Sequence, residues 1–334
     1  MLRIAHLHDD RASYGLARYL AFLQSDAGLG ALAEHRLVPV SRFAAGAARV
    51  EADVIVSHLP LSWHSLPGLM ALRARHPGTT LVHVEHNHCE GLLAASTRRR
   101  GRLRTSLRSG LALFDHVVAV SQAQARWMRR HALVPTGQLS VIPPSSDLSA
   151  LATLPGPVGP VRRIAAVGTL HRQKGYDILI QAFAAVTAPE ARLDIFGDGP
   201  QRAELRTMAR HDPRVTLHGE VPAQAALRLA DAIAIPSRWE PFGLVAQEAQ
   251  VAGRKVLMSG RDGLSEQMGP GTVAIADLSI GAWSRALSDV LAAPAEAPRL
   301  PAELPHEATL QGWRALLERV ALRQRGKATG FATI

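Results

Sequence analysis

The stretch 230–254, ADAIAIPSRWEPFGLVAQEAQVAGR, limits the fold of this chain more than any other segment does. Residues 232–235 predict a buried strand, and a turn rich in proline and glycine follows it. A run of good helix formers then begins at Leu244 and ends before Gly253. A helix that starts at the carboxyl end of a strand presents its free backbone N–H groups there. The segment therefore predicts an anion site suited to phosphate.

Two carboxylates belong to this segment: Glu240 lies in the turn, and Glu248 lies about one turn inside the helix. Isolated helix carboxylates are mostly exposed charges, and that is the simpler interpretation of both. Beside an anion site, however, carboxylates at these positions can accept hydrogen bonds from sugar hydroxyl groups. The other motifs of the chain favour this second interpretation.

Short strands alternate with helices along both halves of the chain, which predicts an α/β fold of parallel sheets with helices on both faces. The segment 154–160, LPGPVGP, has no apolar periodicity and marks a linker near the midpoint. We therefore expect an N-terminal domain over 1–154, a linker over 155–160 and a second domain over 161–305. Residues 306–334 are expected to form a last helix, which packs back toward the first domain, and a tail.

The cysteine content and the hydropathy of the chain indicate its compartment. Cys89 is the only cysteine, so the chain has no internal disulfide and no cysteine-rich metal site, as suits a reducing compartment. No apolar run reaches the roughly 18 residues of a membrane span. The first ten residues turn polar too early for a signal peptide. We therefore expect a cytoplasmic protein.

The net charge of +10 is carried mainly by arginine in the first half of the chain, which predicts an anionic partner. The densest run is 97–108, TRRRGRLRTSLR, where leucines recur at helical spacing. One interpretation is an amphipathic helix at the inner face of a membrane with anionic lipids. The other is a solvated basic helix. No aromatic residues interleave the charges, so we do not expect nucleic acid. The arginines of this basic patch are Arg98, Arg99, Arg100, Arg102, Arg104 and Arg108.

The tetrapeptide Glu85-His86-Asn87-His88 follows a predicted strand at 80–84. Open α/β sheets bind ligands at the carboxyl ends of their strands, so His86 is either a substrate contact or a structural histidine. His86 and His88 lack a third ligand at metal-site spacing, and we expect no metal. The chain also lacks a GxGxxG fingerprint, a Walker loop and a GxSxG elbow. These absences argue against a dinucleotide cofactor, a P-loop and a serine hydrolase.

Taken in order, several motifs resemble those of the nucleotide-sugar-dependent retaining glycosyltransferases of family 4. In the second half these are AAVGTLHRQKGYDILIQAF, LDIFGDGP, VTLHGEVP, IPSRWEPFGLVAQEAQVAG and DGLSEQM; in the first half they are VHVEHNH and DHVVAVS. The resemblance extends over about 3–321 and is closest over 164–268. It implies a GT-B fold, in which two Rossmann-like domains face each other across a cleft.

The resemblance also implies roles for individual residues. His86 would lie by the anomeric centre of the donor sugar, Lys174 would contact the donor diphosphate, and Glu240 would contact hydroxyls of the transferred sugar. These three are the expected catalytic residues. Glu248 would accept hydrogen bonds from the ribose. The full donor-binding set that the resemblance implies is Gly15, Arg172, Lys174, Gly197, Glu240, Phe242, Gly243, Leu244 and Glu248.

The activity that the resemblance implies is transfer of a sugar from a UDP- or GDP-sugar to a glycan or a lipid-linked saccharide. The transfer would retain the anomeric configuration, need no metal or other cofactor, and serve exopolysaccharide, lipopolysaccharide or glycolipid biosynthesis. The chain departs from the family pattern at the turn 142–147, IPPSSD, and at Thr169, where an arginine is expected and Arg172 is the candidate replacement. Two alternatives stay open: an inactive nucleotide-sugar-binding subunit of a polysaccharide assembly complex, and an epimerase or phosphorylase with the same architecture.

Overall fold

The computed structural model of the protein describes residues 1–10, 14–41, 43–96 and 100–330, with side chains of the last helix up to Leu322. The chain forms two compact units. The first combines Met1–Ser146 with the segment that begins at Pro305, and the second is Asp147–Leu304. Within the described ranges, no helix has both the length and the apolar character needed to cross a membrane.

The first unit is built on six strands: β1 (Leu2–Asp9), β2 (Ala33–Val40), β3 (Val54–Ser57), β4 (Thr80–Glu85), β5 (His116–Ala119) and β6 (Leu139–Val141). They form one parallel sheet in the order β2-β1-β3-β4-β5-β6. The helices between them are α1 (Tyr14–Ser25), α2 (Ala27–Leu32), α3 (Leu66–Arg75), α4 (Glu90–Ala95), α5 (Arg100–Leu111) and α6 (Gln122–Arg130). The carboxyl ends of all six strands therefore lie at one edge of the sheet.

Alternate residues of β1 point to opposite faces of the sheet, and the two faces differ in chemistry. Ala5 and Leu7 belong to an apolar core that α3, α5 and α6 complete. His6, on the other face, packs against Trp313 of the last helix, and Trp313 Nε1 donates a hydrogen bond to the hydroxyl of Tyr19 in α1 at 3.1 Å. The last helix of the chain is thus integral to the first unit.

The second unit is also a six-stranded parallel sheet with flanking helices. Its strands are β7 (Arg163–Val167), β8 (Arg192–Phe196), β9 (Val215–Gly219), β10 (Ala232–Ile235), β11 (Lys255–Met258) and β12 (Thr272–Ala274), in the order β12-β11-β10-β7-β8-β9. The helices are α7 (Ser149–Ala152), α8 (Tyr176–Ala184), α9 (Arg202–Ala209), α10 (Ala223–Leu229), α11 (Leu244–Val251) and α12 (Ile280–Leu291), and the last helix of the chain is α13 (Glu303–Gly330). Strands β7 and β10 are neighbours, so the loops that follow them meet at the carboxyl edge.

The division of the chain falls earlier than the predicted linker. Leu148, Leu151 and Leu154 were assigned by the sequence to the first domain, yet all three pack into the core of the second unit. Arg299 also donates hydrogen bonds to the backbone carbonyls of Ala152, at 2.7 Å, and Leu154. Leu151 of α7 and the leucines on either side of this helix are buried together, and this burial outweighs the turn-forming residues that marked 155–160 as the boundary.

Candidate functional site

The turn between β10 and α11 exposes the start of a helix at the carboxyl edge of the second sheet. Gly243, the residue before α11, has φ +93°, and a Cβ atom there would lie 2.6 Å from Leu264 Cδ2. Glycine alone fits this backbone and this space without strain. Among the described residues no side chain caps the helix, so the backbone N–H groups of Gly243 and Leu244, which follow Phe242, can bind an anion from outside.

Lys174 and Glu240, which the sequence singled out separately, are in direct contact. Lys174 Nζ lies 2.5 Å from Glu240 Oε2, and the two side chains are 21% and 9% exposed. Ser237 Oγ donates a further hydrogen bond to the same oxygen at 3.2 Å. Burial, and after it the charge of Glu240, raise the pKa of the Tyr176 hydroxyl beneath the pair, so this hydroxyl stays protonated. The site therefore presents one cation and one carboxylate side by side.

Gly175 allows the two loops to meet. Its φ is +70°, and a Cβ atom at this position would lie 2.2 Å from the backbone oxygen of Pro236, in the turn after β10. Any side chain would push the loop of Lys174 away from the loop of Glu240. Gly197, which follows the neighbouring strand β8, has a similar role, because a Cβ there would lie 2.0 Å from the oxygen of Gly168. Gly197 thus lets the backbone after β8 pack directly against the backbone after β7.

Arg238 holds the same two loops together and was missed by the sequence analysis. Its guanidinium donates two hydrogen bonds to the Asp177 carboxylate, at 2.8 and 2.7 Å, and one to the backbone oxygen of Arg172 at 2.8 Å. Its backbone N–H donates to the oxygen of Gln173 at 2.7 Å. Partial burial opposes ionisation of Asp177, but the hydrogen bonds and the charge of Arg238 lower its pKa. The available signal was an arginine at the second position of the SRWEPFG motif.

The remaining predicted donor residues of the second unit occupy distinct environments. Glu248 is fully buried inside α11, in contrast to an ordinary exposed helix carboxylate. Arg172 belongs to a short 3-10 turn and its side chain is exposed. Glu248 is therefore held inside the protein, whereas the side chain of Arg172 is open to solvent.

In the first unit, His86 lies at the carboxyl edge of the sheet, directly after β4. The buried Glu85 carboxylate shapes this turn, since it accepts hydrogen bonds from the backbone N–H groups of Asn87, at 2.7 Å, and His88, at 3.0 Å, and from His88 Nδ1 at 3.1 Å. Burial opposes ionisation of Glu85, yet His88 holds its pKa well below the usual range, and Glu85 in turn raises the pKa of His88. Glu85 thus ties together the backbone of the turn that carries His86.

His86 is a neutral histidine with a partner that the sequence did not reveal. Burial lowers its pKa to about 4. Its Nε2 lies 2.9 Å from Nδ1 of His58, which follows the neighbouring strand β3. Gly15, the other predicted residue of this unit, is the second residue of α1, and Arg18 one turn later donates to Ser146 Oγ at 3.1 Å. Within the described ranges, no group of three or more His, Cys, Asp or Glu side chains is arranged to hold a metal ion.

The basic patch differs from the predicted amphipathic helix. Arg98 and Arg99 lie outside the described residues, while Arg100, Arg102, Arg104 and Arg108 are exposed on α5. Leu107 and Leu111, which would have faced lipid, are buried in the core of the first unit, and Leu103 packs against that core. The apolar face of α5 is therefore used for folding. An arginine-rich face is what the helix presents to solvent.

Two family models match the chain. The model described as glycosyltransferase family 4 matches residues 8–150, and the model described as glycosyl transferases group 1 matches residues 161–293. A D-inositol 3-phosphate glycosyltransferase from Nocardiopsis dassonvillei is 30% identical over 227 residues, which cover 60% of this chain and 53% of that protein. The chain thus spans about half the length of this relative.

Solved structures with the same fold match almost the whole chain. Sucrose-phosphate synthase from Thermosynechococcus elongatus superposes with a TM-score of 0.73 at 21% identity, over 99% of this chain and 100% of the other. Anabaena HepE, in complex with UDP and glucose, superposes with a TM-score of 0.68 at 16% identity over 100% of both chains. Together with the two parallel sheets, this likeness confirms the predicted GT-B fold.

Proposed function

The chain belongs to the group 1 and family 4 glycosyltransferases, and we propose that it is an active enzyme that transfers a sugar from a nucleotide diphosphate sugar to a glycan or a lipid-linked saccharide. The observation that carries this proposal is the contact between Lys174 and Glu240 beside the uncapped start of α11. It provides positive charge for a diphosphate and an acceptor for sugar hydroxyls at one place. Departure of a diphosphate from a sugar is accelerated by groups of this kind, arranged in advance.

In this proposal each side chain has one task. Lys174 and the free N–H groups at Gly243 and Leu244 stabilise the negative charge that develops on the leaving diphosphate. Glu240 accepts hydrogen bonds from the transferred sugar, and the buried Glu248 accepts them from the ribose hydroxyls. His86 contacts the donor sugar, as the family resemblance implies.

The donor that we favour is a UDP-sugar, with a GDP-sugar second. The support for it is that HepE, which shares the fold, was solved with UDP and glucose. The relative from Nocardiopsis carries the name of an inositol-phosphate glycosyltransferase, so a phosphate-bearing or polyol acceptor is among those to be tested. The exposed arginines of α5 favour an anionic acceptor or an anionic membrane surface as a partner.

We assign the transfer to the retaining class and expect no metal. The leaving phosphate can itself receive the proton of the acceptor hydroxyl on the same face of the sugar, so that no enzymic nucleophile is needed. Lys174 and the helix start supply the charge that a metal ion supplies in other transferases. Localisation of the enzyme at the inner face of the cytoplasmic membrane would suit a lipid-linked acceptor.

A thermal-shift panel tests the proposal directly. UDP-, GDP-, ADP- and dTDP-sugars are each added in excess, and only the donor class that binds the folded protein raises the midpoint of unfolding. The expected result is a rise with one nucleotide class, largest with the sugar-bearing form. No rise with any of them contradicts both the enzyme and an inactive nucleotide-sugar-binding subunit.

A further inference from the structure

Four histidines of the first unit form a continuous hydrogen-bonded chain, here termed the histidine ladder: His35, His6, His58 and His86. Nδ1 of each ring faces Nε2 of the next along this series, and all three N–N distances are 2.9 Å. The members stand on or directly after β2, β1, β3 and β4, which are neighbours in the sheet. The ladder therefore crosses three strand spacings, roughly 14 Å, and ends with His86 at the carboxyl edge.

The rings of the ladder lie edge to edge. Successive ring centroids are 5.2 Å apart, and with the nitrogens 2.9 Å apart this leaves room only for in-line N–H···N hydrogen bonds. Trp313 covers the two rings at one end and Tyr19 covers the two at the other, all in T-shaped contacts. These aromatic side chains shield the ladder from water.

Every member of the ladder is neutral near pH 7. Burial is the main cause of a lowered pKa at all four: well below the ordinary value for His6 and His58, and to about 4 for His35 and His86. A neutral imidazole has one N–H and one lone pair. The protein therefore holds four rings that can each donate once and accept once.

The geometry restricts where these protons sit. Each link joins Nδ1 of one ring to Nε2 of the next along the series from His35 to His86. Three hydrogen bonds among neutral rings can form only if all four rings carry the proton on the same type of nitrogen, either all on Nε2 or all on Nδ1. The outer nitrogens of the ladder are Nε2 of His35 and Nδ1 of His86, because the other ring nitrogens each face a neighbouring ring. The ladder therefore has two uniform tautomers, in which Nδ1 of His86 is either an acceptor or a donor. The surroundings of the outer nitrogens make the two unequal in energy, and among the described residues Nε2 of His35 has no hydrogen bond of standard geometry.

We propose that His35, His6 and His58 are positioning residues that fix the ring of His86 and hold it in the tautomer that all four rings share, so that its Nδ1 makes one kind of hydrogen bond to a substrate hydroxyl. The tautomer of His86 cannot change by itself, since the proton of every ring in the ladder must move with it. A residue roughly 14 Å away is thus coupled to the hydrogen bond that His86 makes with substrate. The inference relies on the proposed function only for the identity of the substrate.

Nitrogen-15 NMR of histidine-labelled protein reports the tautomers without any substrate. Near neutral pH we expect the four ladder rings to be neutral and to show the pattern of one and the same tautomer. Mixed tautomers among the four, or a charged ring, overturn the proposal.

A variant at the far end tests whether the ladder acts as one unit. His35→Phe removes the hydrogen-bonding nitrogen at the end of the ladder but keeps a ring, and we expect His86 to show both tautomers. His35→Gln supplies a carboxamide, which can accept a hydrogen bond from His6 or donate one to it, and we expect it to restore the wild-type pattern. The matched control is His116→Gln, which changes a buried histidine of β5 that pairs with Ser140 Oγ at 2.9 Å outside the ladder. An unchanged His86 pattern in folded His35→Phe overturns the coupling.

Kinetic measurements distinguish a role of His35 in positioning His86 from an effect on the stability of the fold. His35→Phe is expected to lower kcat about tenfold and to leave the Kd for donor unchanged, with recovery in His35→Gln and no effect in His116→Gln. Equal kcat in folded His35→Phe and wild type contradicts a positioning role. Failure of the wild type to bind any nucleotide sugar refutes the proposed function alone, because the NMR result still decides the ladder.

Discussion

Lys174 and Glu240 are each other's counterion: their side chains meet at 2.5 Å although 66 residues of sequence separate them. The pair lies where β7 and β10 end side by side, next to the uncapped start of α11. In the absence of donor, Glu240 keeps the ammonium group at this edge. A diphosphate that binds there has to share Lys174 with Glu240.

This sharing predicts opposite effects of two substitutions on nucleoside diphosphate binding. Lys174→Met removes a charge-assisted hydrogen bond and should weaken binding roughly 10- to 100-fold. Glu240→Gln releases Lys174 from its counterion and should leave the affinity unchanged or raise it, while turnover of the sugar nucleotide falls. Isothermal titration calorimetry measures the first quantity, and product release measures the second.

Lys255→Met is the matched control, since Lys255 begins β11 in the same unit and lies outside the proposed set of donor contacts. Weaker binding in Glu240→Gln than in Lys174→Met would show that the carboxylate, and not the ammonium, faces the diphosphate. That result would reverse our assignment of the two residues.

Gly175 gives a prediction about the contact between the loop that follows β7 and the loop that follows β10. Gly175→Ala places a Cβ 2.2 Å from the Pro236 oxygen at a φ of +70°, so the loops must separate. We expect loss of roughly 1–3 kcal/mol in the free energy of unfolding and loss of donor binding. Gly219→Ala is the control, because Gly219 has φ +82° but its Cβ would meet only Arg202 Nη2, at 3.9 Å.

The two glycine variants separate backbone strain from the clash. If urea unfolding and donor binding are affected equally in Gly175→Ala and Gly219→Ala, the close approach of Gly175 to Pro236 is not what builds the site.

The strand–turn–helix unit was predicted correctly because its signals are local. Four apolar residues before a proline give β10, and helix formers that end before a glycine give α11. The contact between Lys174 and Glu240 could not be predicted in this way, because it depends on the order of strands in the sheet. The same holds for the ladder: His6 and His35 are ordinary strand residues until β1 and β2 become neighbours. The sequence analysis assigned Leu148 to the first domain because turn residues at 155–160 are a stronger local signal than three spaced leucines.

The ladder predicts a loss of stability in mild acid. Burial lowers the pKa of its four histidines in the folded protein, to about 4 for His35 and His86, while the unfolded chain titrates at about 6.5. Between these values the unfolded chain binds more protons, so the free energy of unfolding falls as the pH falls. We expect a loss on the order of several kcal/mol from pH about 7 to about 4.5.

Urea unfolding at a series of pH values measures this slope. His6→Phe should make it shallower, because one buried titrating ring is gone and the ladder is broken. His211→Gln, which changes an exposed histidine of the second unit, should keep the wild-type slope. A slope in His6→Phe as steep as in wild type would mean that other groups cause the acid sensitivity.

The exposed arginines of α5 predict salt-sensitive binding to anionic vesicles. Because the leucines of this helix are buried, the attraction is electrostatic and should vanish at high salt. Reversal of Arg100, Arg102 and Arg104 to Glu should weaken binding by roughly two orders of magnitude or more. Cosedimentation with phosphatidylglycerol vesicles measures the affinity.

The control reverses three exposed arginines of the second unit, Arg206, Arg210 and Arg228. It changes the net charge equally and should have a much smaller effect. Equal loss in both variants would mean that total charge, and not the basic face of α5, determines the contact.

The central claim is that the second unit binds a nucleotide sugar and activates it for transfer with retention. The most direct measurement is acceptor-free turnover followed by proton NMR, with the donor identified by the thermal-shift panel. We predict slow release of nucleoside diphosphate together with a free sugar that first appears in the anomeric configuration of the donor. Lys174→Met and Glu248→Gln should abolish this release, and Glu266→Gln, on an exposed side chain, should not. Release at the wild-type rate in Lys174→Met and Glu248→Gln, or no release from a donor that binds, would contradict the account.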